Sequence, residues 1–226
     1  MKKNFLKNAP LIIFSFTMIF LCPSCSKKNS YTMEKLECKN KKIEATLEYP
    51  VFASKKLSVL NNEILKQTEV YESTIKEYEG YWDEMTSMFM ESDETFNIEE
   101  YPPYYYTGTS QVTYSNDIIS IMFFYETFSG GAHGLHYFSS INYDSKKNKL
   151  VTLEEASGMT KKEISTKCMQ ELSKVIEDGE GWIEEGANED AISSLNFSCD
   201  QGKIFVYFAP YDVAPYALGS FTVEIK

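Results

Sequence analysis

The chain has 226 residues, 33 acids against 22 bases, and a formal net charge of −11. Because nucleic acid is held by basic surfaces, this balance argues against nucleic acid as a partner and favours a cationic one. Acidity that only keeps the protein soluble is the alternative. Beyond a leader segment about 200 residues remain, enough for one core or two small lobes.

The first 24 residues have the organisation of an export signal. Three lysines lie within the first seven residues, and the apolar stretch 11–21 is shorter than the roughly 20 residues of a membrane span. Ser24 before Cys25 resembles the cleavage site of a bacterial lipoprotein. We expect cleavage after Ser24, a lipid on Cys25, and an exported, membrane-anchored protein with a polar tether over 25–37. Ordinary secretion is the alternative. Loss of the leader removes three lysines and no acids, which takes the formal charge from −11 to −14.

The region 38–146 predicts a sheet with one long helix. Alternating apolar and charged residues from Lys41 to Tyr49 predict a half-buried strand. Apolar residues spaced by three, four and seven from Leu57 to Tyr78 predict an amphipathic helix. The acidic stretch 80–100 that follows predicts a frayed helix end or a loop.

Three strands follow the Pro-Pro pair at 102–103, which cannot continue a helix. The segments 110–115, 118–128 and 137–143 are these strands. Because the second is almost continuously apolar, it predicts a central strand covered on both faces. The glycine-rich segment 129–134 predicts the turn between the last two strands.

The region 147–226 has a different pattern. Thr160 with Glu163 predicts a capping box that opens a helix. The apolar face of this helix comprises Ile164, Cys168, Leu172, Val175 and Ile176. The acidic, glycine-containing stretch 177–188 predicts a loop around Trp182.

The last third of the region 147–226 predicts strands. Segments 195–199 and 203–208 predict a hairpin turned at Gly202, and alternation over 221–225 predicts a final strand. Together the elements predict an α+β fold. It consists of a twisted, mainly antiparallel sheet with helices packed on one face, as one body or as two small lobes.

With Cys22 lost in the leader and Cys25 carrying the lipid, three cysteines remain: Cys38, Cys168 and Cys199. An oxidising compartment permits one disulfide among them. Cys168 lies on the apolar face of a predicted helix and Cys199 ends a predicted strand, so these two meet if the helix packs on the sheet. The alternative is that all three are buried thiols, which behave as small hydrophobic side chains.

Neither histidine predicts a metal site. His133 and His136 are two ligands where zinc takes three or four, and residues three apart in a strand point to opposite faces. The simpler interpretation is a glycine-set turn in which His133 bonds the backbone. The sequence contains no nucleophile elbow and no phosphate-binding glycine loop. We therefore predict no enzymatic activity, no cofactor and no metal.

The most unusual segment is 209–219, which contains two Pro-Tyr pairs, 210–211 and 215–216, in a loop between strands. Proline lowers the entropy that a loop loses on binding, and tyrosine offers a rigid, amphipathic contact. These features are typical of a binding surface. The alternative is a structural corner in which tyrosine hydroxyls cap the edge of a sheet.

The order of four motifs resembles that of a known family. Gly-Gly-Ala-His-Gly at 130–134 follows an apolar strand, Asn-Tyr-Asp at 142–144 ends the next strand, and Leu-Val-Thr-Leu at 150–153 precedes the Pro-Tyr segment. From about residue 38 to residue 226, the chain thereby resembles a pair of extracytoplasmic domains of unknown function. The pair occurs in RsiV-type anti-sigma factors and before the catalytic domain of PdaC-type peptidoglycan deacetylases.

The resemblance implies a binding module. In the anti-sigma factors the domain pair is a sensor that binds lysozyme, a basic protein whose charge suits an acidic module. In the deacetylases the pair accompanies a catalytic domain that we do not expect here, and this context makes cell-wall glycan the second candidate ligand. Carried over to this sequence, the ligand contacts are Tyr211, Pro215 and Tyr216, with Gly131 and His133 in the neighbouring turn.

Overall fold

The computed structural model describes residues 30–177 and 179–226. Within these residues the chain forms a six-stranded and a three-stranded sheet, each packed with helices. This confirms the predicted α+β class and its mainly antiparallel pairing. The predicted export signal and the lipidation residue Cys25 lie outside the described residues. None of the helices in the described part of the chain combines the length and the apolar character needed to cross a bilayer.

The first lobe is built on the six-stranded sheet. Its strands, in order across the sheet, are β1 (Tyr31–Lys39), β2 (Ile43–Phe52), β3 (Tyr104–Ser115), β4 (Ile118–Phe128), β5 (Leu135–Asp144) and β6 (Lys149–Leu150). All neighbours are antiparallel except β2 and β3, which run parallel and are connected through helix α1 (Ser58–Ser92). Because β1 pairs with β2 from Tyr31 onward, the predicted tether over 25–37 is wrong in its second half: residues 31–37 lie in the sheet.

Helix α1 extends well past its predicted end at Tyr78. Of the two alternatives for 80–100, a frayed helix end or a loop, the loop is wrong for residues 80–92, because the helix continues through Gly80 for about three more turns and ends at Ser92. Trp82 is buried on the inner face of this extension and donates a hydrogen bond from Nε1 to the carbonyl oxygen of Pro102 at 3.2 Å. Burial of this ring outweighs the roughly 1 kcal/mol that an internal glycine costs a helix.

The two sheets have separate hydrophobic cores. Buried residues of the first core run from Cys38 to Tyr143, and those of the second from Leu153 to Ile225. Strand β4 is covered on both faces, as predicted: Ile121 faces α1 at 0% exposed, and Ser120 faces the other side at 0%. A domain boundary after residue 146 stays a prediction.

The second lobe packs helices on the three-stranded sheet. Its elements are α2 (Leu153–Ser157), α3 (Lys161–Leu172), α4 (Glu180–Gly186), β7 (Asn196–Asp200), β8 (Lys203–Phe208) and β9 (Phe221–Glu224), with strand order β7-β8-β9. The predicted hairpin and final strand are confirmed. So is the capping box: Glu163 N–H donates to Thr160 Oγ1 at 3.3 Å, and Thr160 N–H donates to Glu163 Oε2 at 2.8 Å.

Two local predictions about the second lobe are wrong. Val175 is 64% exposed, because α3 has already ended and the chain turns before it buries Ile176. The stretch 177–188 contains α4 and not only a loop, because Ile183 anchors a short helix in the core. Trp182 lies on the exposed side of that helix, at 41%.

The second core contains Cys168 from α3 and Cys199 from β7, which are 0% and 1% exposed. In the structure these residues and Cys38 are free thiols. The predicted Cys168–Cys199 bridge is therefore not formed, and the alternative of buried thiols is the observed arrangement. Burial raises the pKa of the Cys168 thiol to about 12.

A polar row on the first sheet holds the lobes together. It consists of Thr113, Ser120 and Asn142, which lie side by side on β3, β4 and β5. Thr113 Oγ1 donates to the carbonyl oxygen of Cys199 at 2.8 Å, and the amide of Cys199 donates to Ser120 Oγ at 2.9 Å. Asn142 Nδ2 donates to the carbonyl oxygen of Phe197 at 2.8 Å. The outer edge of β7 is thus satisfied by side chains instead of another strand.

Candidate functional site

The Pro-Tyr loop, residues 209–219, joins β8 to β9 and is anchored at its centre. Val213 and Ala214 are buried in the second core, at 0% and 1% exposed. The amide of Ala209 donates to Asp212 Oδ2 at 2.7 Å, which closes the first half of the loop. Since the centre of the loop points inward, the tyrosines on either side of it lie toward the surface.

The last residue of α4 supports this loop. A Cβ atom on Gly186 would overlap the carbonyl oxygen of Asp212 and would lie 2.8 Å from Cγ1 of Val213. The backbone of α4 therefore touches the loop directly, and a side chain at this position would push the loop outward. Sequence reasoning missed Gly186, because glycine at the end of a helix is common and gives no sign of what it touches.

The glycine-rich turn, residues 129–134, joins β4 to β5 beside the Pro-Tyr loop. Gly131 has a φ of +95° and open space around it, so the turn is exposed at this point. Gly134 is enclosed, since a Cβ atom there would lie 2.7 Å from the carbonyl oxygen of Thr127. The backbone contact predicted for His133 is present: its Nδ1 lies 2.9 Å from the carbonyl oxygen of Gly134.

Tyr216 joins the loop to the turn. Its hydroxyl donates to the carbonyl oxygen of Gly134 at 2.7 Å. Its ring stacks on the imidazole of His133, with centroids 3.9 Å apart and planes inclined by 18°. The ring of Tyr211 lies 5.5 Å from that of Tyr216. Two segments 82 positions apart in sequence thus form one surface.

We call this surface the Tyr-His patch, and it comprises His133, Tyr211, Pro215 and Tyr216. The structure therefore brings the predicted contact residues together, with Gly131 in the adjoining turn. Two leucines that sequence reasoning did not single out, Leu135 after the turn and Leu218 in the loop, are 52% and 55% exposed. Each adjoins a motif glycine in the sequence, which is the one signal that could have drawn attention to them. Aromatic rings gathered on one exposed surface, such as those of His133, Tyr211 and Tyr216, are typical of an interaction site.

Acidic side chains border the patch. The hydroxyl of Tyr105, beside Gly134, donates to Glu126 Oε1 at 3.1 Å. Partial burial together with this carboxylate raises the pKa of Tyr105. Asp212 lies at the base of the Pro-Tyr loop, and neither carboxylate has a salt bridge within the part of the chain that the structure describes. A negative border suits a cationic ligand.

The patch offers contact surface more than reactive groups. The imidazole of His133 is held by stacking and by the backbone, and the hydroxyl of Tyr216 is held by Gly134. Among residues 30–177 and 179–226, no three His, Cys, Asp or Glu side chains lie close enough together to hold a metal ion. The arrangement can present flat aromatic faces to a ligand, together with the hydroxyl of Tyr211, which has no hydrogen bond to the residues that the structure describes.

Two clefts lie along β5, on the way from the patch to β6. The smaller cleft, of about 320 Å³, is lined by Tyr137, Phe138 and Asp212 among others. The larger cleft, of about 500 Å³, lies between α1 and β7 and includes Ser140. Leu195 lines both, so the two clefts meet at this residue.

The fold and the patch define a two-lobed α+β protein with an exposed aromatic surface where the lobes meet. Residues 36–136 match the family described as Deacetylase PdaC, and residues 153–226 match the family described as Protein of unknown function (DUF3298). The chain therefore carries a PdaC domain and a DUF3298 domain in tandem, which confirms the resemblance seen in the sequence. Domains of this extracytoplasmic type fit a binding module.

Two solved structures of the DUF3298 family are similar to this chain. A member from Bacteroides fragilis NCTC 9343 is 18% identical, with a TM-score of 0.57, over 94% of this chain and 88% of that one. A protein from Pseudomonas aeruginosa PAO1 is 16% identical, with a TM-score of 0.49, over 96% and 91% of the two chains. The first likeness establishes the fold alone. No curated protein matches the chain.

Proposed function

We propose that this protein is a non-catalytic binding module of the bacterial cell envelope, and that its Tyr-His patch binds a basic protein. Lysozyme is the first candidate partner, and the module would act either as a sensor of lysozyme or as its inhibitor. The observation that carries the proposal is the hydrogen bond from Tyr216 to Gly134, which assembles loop and turn into one exposed surface. The ligand of the similar domain pair in the anti-sigma factors supports the choice of lysozyme.

The charge of the protein supports a basic partner. The chain carries −11 overall, and the carboxylates of Glu126 and Asp212 border the patch. Opposite charges speed association and favour the correct partner, and salt weakens such an interaction by screening it. Affinity that falls with ionic strength is therefore part of the proposal.

The rigidity of the patch supports a protein contact surface. Tyr216 is fixed at both its hydroxyl and its ring, and Pro215 restricts the backbone before it. Aromatic side chains that are already held in place lose little entropy on binding and often dominate interface energies.

The test is a calorimetric titration of c-type lysozyme into protein that begins at Ser26, at low and at moderate salt. We expect sub-micromolar, salt-sensitive binding and at least a tenfold loss for Tyr216→Ala. The matched control is Tyr81→Ala, because Tyr81 is 44% exposed on α1 outside the patch. An absence of heat at both salt concentrations would exclude lysozyme, and equal losses in the two variants would exclude the patch. A lysozyme activity assay on the complex separates an inhibitor from a sensor.

A cell-wall glycan is the second candidate ligand. The observation that favours it is the stacked pair of His133 and Tyr216, which forms a flat aromatic face of the kind on which sugar rings pack. Binding of purified peptidoglycan fragments through this face would show little salt dependence, because the packing of sugar rings on aromatic rings is not an ionic contact. Peptidoglycan is the ligand to titrate if lysozyme produces no heat.

Export and a lipid on Cys25 belong to the same proposal. Growth of an expressing strain with labelled palmitate should place the label on the protein, and Cys25→Ala should remove the label and release the protein from the membrane fraction. A Cys25→Ala protein that is still labelled would contradict this assignment.

A further inference from the structure

One edge of the six-stranded sheet is open beside the Tyr-His patch. Strand β5 pairs with β4 over nearly its whole length, but it pairs with β6 only through Tyr143 and Asp144. The amide of Val151 donates to the carbonyl oxygen of Asn142, so the main chain of residue 142 faces the β6 side. Because this direction alternates along a strand, the amides and carbonyls of residues 136, 138 and 140 also face the open edge. The carbonyl oxygen of Phe138 on this edge accepts a hydrogen bond from Asn196 Nδ2, at 3.2 Å.

The side chains of β5 do not protect this edge. The opposite edge strand, β1, carries Glu34, Lys35, Glu37 and Lys39, and charged side chains of this kind discourage the addition of another strand. From Leu135 to Tyr143, β5 carries no charged residue. An uncharged edge strand that lies open to solvent is the type of edge to which extended peptides add.

The clefts leave room for such a peptide. The smaller cleft adjoins Tyr137 and Phe138, and the larger one adjoins Ser140, so together they follow β5 from the patch toward β6. At about 3.4 Å per residue, the edge from Leu135 to Ile141 is roughly 20 Å long, enough to pair with a seven-residue segment.

The charge along the clefts selects the kind of peptide. Lys66, which lines the larger cleft, is held by Glu63 Oε2 at 2.7 Å and is thereby neutralised. Glu154 in the larger cleft and Asp212 in the smaller one have no salt bridge in the described part of the chain. The two ends of the edge therefore favour positive side chains, whereas the centre is uncharged.

We propose that the open edge of β5 takes up an extended, basic segment of a protein partner as an added β-strand. The main chain of residues 136 and 140 and the amide of Phe138 supply the hydrogen bonds, because the carbonyl oxygen of Phe138 already accepts from Asn196 Nδ2. Glu154 and Asp212 receive positive side chains at the ends. This inference rests on the proposed binding of a basic protein and specifies how part of that partner is held, next to the Tyr-His patch.

The test uses a backbone variant with a matched side-chain control. In His136→Pro the amide that faces the edge is lost, and the bonds to β4 are retained because they come from the odd-numbered residues. His136→Ala loses the same imidazole and keeps the amide. The probe is a fluorescent peptide of alternating valine and threonine with two lysines at each end. We expect equal affinity for the wild type and His136→Ala, and at least fivefold weaker binding to His136→Pro.

Measurements on the wild-type protein keep the proposal testable if His136→Pro does not fold. The probe should slow hydrogen exchange of the amides of His136, Phe138 and Ser140 at least fivefold. In an added strand, every second amide of the probe faces β5. We therefore expect N-methylation of one alternating set of probe amides to abolish binding, and N-methylation of the other set to leave it intact. Unchanged exchange, or binding by both methylated probes, would overturn the proposal. Dimerisation of the free protein that His136→Pro prevents would also overturn it, by showing that a second copy occupies the edge.

The same variants separate this inference from the proposed function. Lysozyme binding that Tyr216→Ala abolishes and His136→Pro leaves intact would refute strand addition and leave the binding module standing. Retained probe binding in a protein that gives no heat with lysozyme would refute lysozyme as the partner and leave strand addition standing.

Discussion

The two lobes use tyrosine in opposite ways. Of the 16 tyrosines, 13 precede residue 147 and three follow it. Four tyrosines of the first lobe are buried in its core, where their hydroxyls find partners; that of Tyr71, for example, donates to the carbonyl oxygen of Ala45 at 3.0 Å. The buried core of the second lobe contains no tyrosine among its described residues. Its three tyrosines, Tyr207, Tyr211 and Tyr216, lie at the surface or at the junction with the first lobe.

This difference bears on how the Pro-Tyr loop is interpreted. In the core of the first lobe tyrosine fills volume, and replacing one of these buried tyrosines must open a cavity. In the second lobe aliphatic side chains, Phe197, Phe208 and two cysteines fill the core, so Tyr211 and Tyr216 are not needed for packing. Tyrosines that the core does not use, placed beside a stacked histidine, favour a role in binding.

The largest effect is expected for Tyr106→Ala in the first core. Tyr106 is 0% exposed, so truncation removes an aromatic ring and leaves a cavity, which should lower the free energy of unfolding by about 3–5 kcal/mol. Urea denaturation measures the change. The control is Tyr211→Ala, for which we expect less than about 0.5 kcal/mol. Similar losses of unfolding free energy in the two variants would show that tyrosine has the same structural role in both lobes.

A smaller effect is expected for Gly186→Ala. The added methyl group overlaps the carbonyl oxygen of Asp212, so the loop must move, at a cost of about 1–3 kcal/mol in the free energy of unfolding. Lysozyme affinity should fall with it, because Tyr216 leaves His133. Gly181→Ala is the matched control on the same helix, since nothing lies within 4 Å of its added methyl group. A stable Gly186→Ala protein with full affinity would show that the loop position does not matter.

The pH dependence of stability tests the core of the second lobe, in which the thiol of Cys168 is buried. Its pKa is raised from 9.0 to about 12 by burial, so between these values it ionises only in the unfolded state. The stabilising contribution of this thiol is complete below pH 9 and is lost as the pH rises toward 12, by about 1.4 kcal/mol per pH unit. Urea denaturation of the wild type and Cys168→Ala at pH 8 and pH 10 isolates the contribution of this thiol to the free energy of unfolding. The titrations of all other groups are common to the two proteins and cancel in the difference. An unchanged difference between the two proteins would contradict a buried free thiol.

The smallest effect on stability is expected for Tyr216→Phe. Loss of the hydroxyl removes one hydrogen bond to Gly134, worth about 0.5–1.5 kcal/mol, while the ring remains stacked on His133. Thermal unfolding measures the change, and lysozyme titration shows whether the ring or the hydroxyl carries the binding. A loss as large as that of Tyr106→Ala would mean that Tyr216 is a structural residue.

Elements whose local sequence signals agree with one another could be predicted from the sequence. The run 118–128, the capping box at Thr160 and the hairpin turned at Gly202 each combine a hydrophobic pattern with a local capping or turn signal, and all three are confirmed. The extension of α1 past Gly80 could not be predicted. Its local composition favours a loop, and the contact that holds it, from Trp82 to Pro102, joins residues 20 positions apart.

The residues of the candidate site could be predicted from the sequence, but the contacts that bring them together could not. The unusual residues of the glycine-rich turn and the Pro-Tyr loop were visible as separate motifs. That Tyr216 bonds Gly134 depends on how one lobe sits on the other, which in turn depends on the polar row. The hydroxyl and amide side chains of that row are common in sheets, and nothing in their spacing identifies β7 as their partner.

The polar row also has a thermodynamic consequence for any ligand of the patch. An apolar contact between the lobes would tolerate sliding, whereas the hydrogen bonds between the main chain of β7 and the side chains of Thr113, Ser120 and Asn142 permit one alignment. The patch therefore exists only while both lobes are folded and joined in that alignment. A ligand that spans turn and loop selects this joined state, so it raises the unfolding temperatures of the two lobes together, although its contacts lie outside both cores.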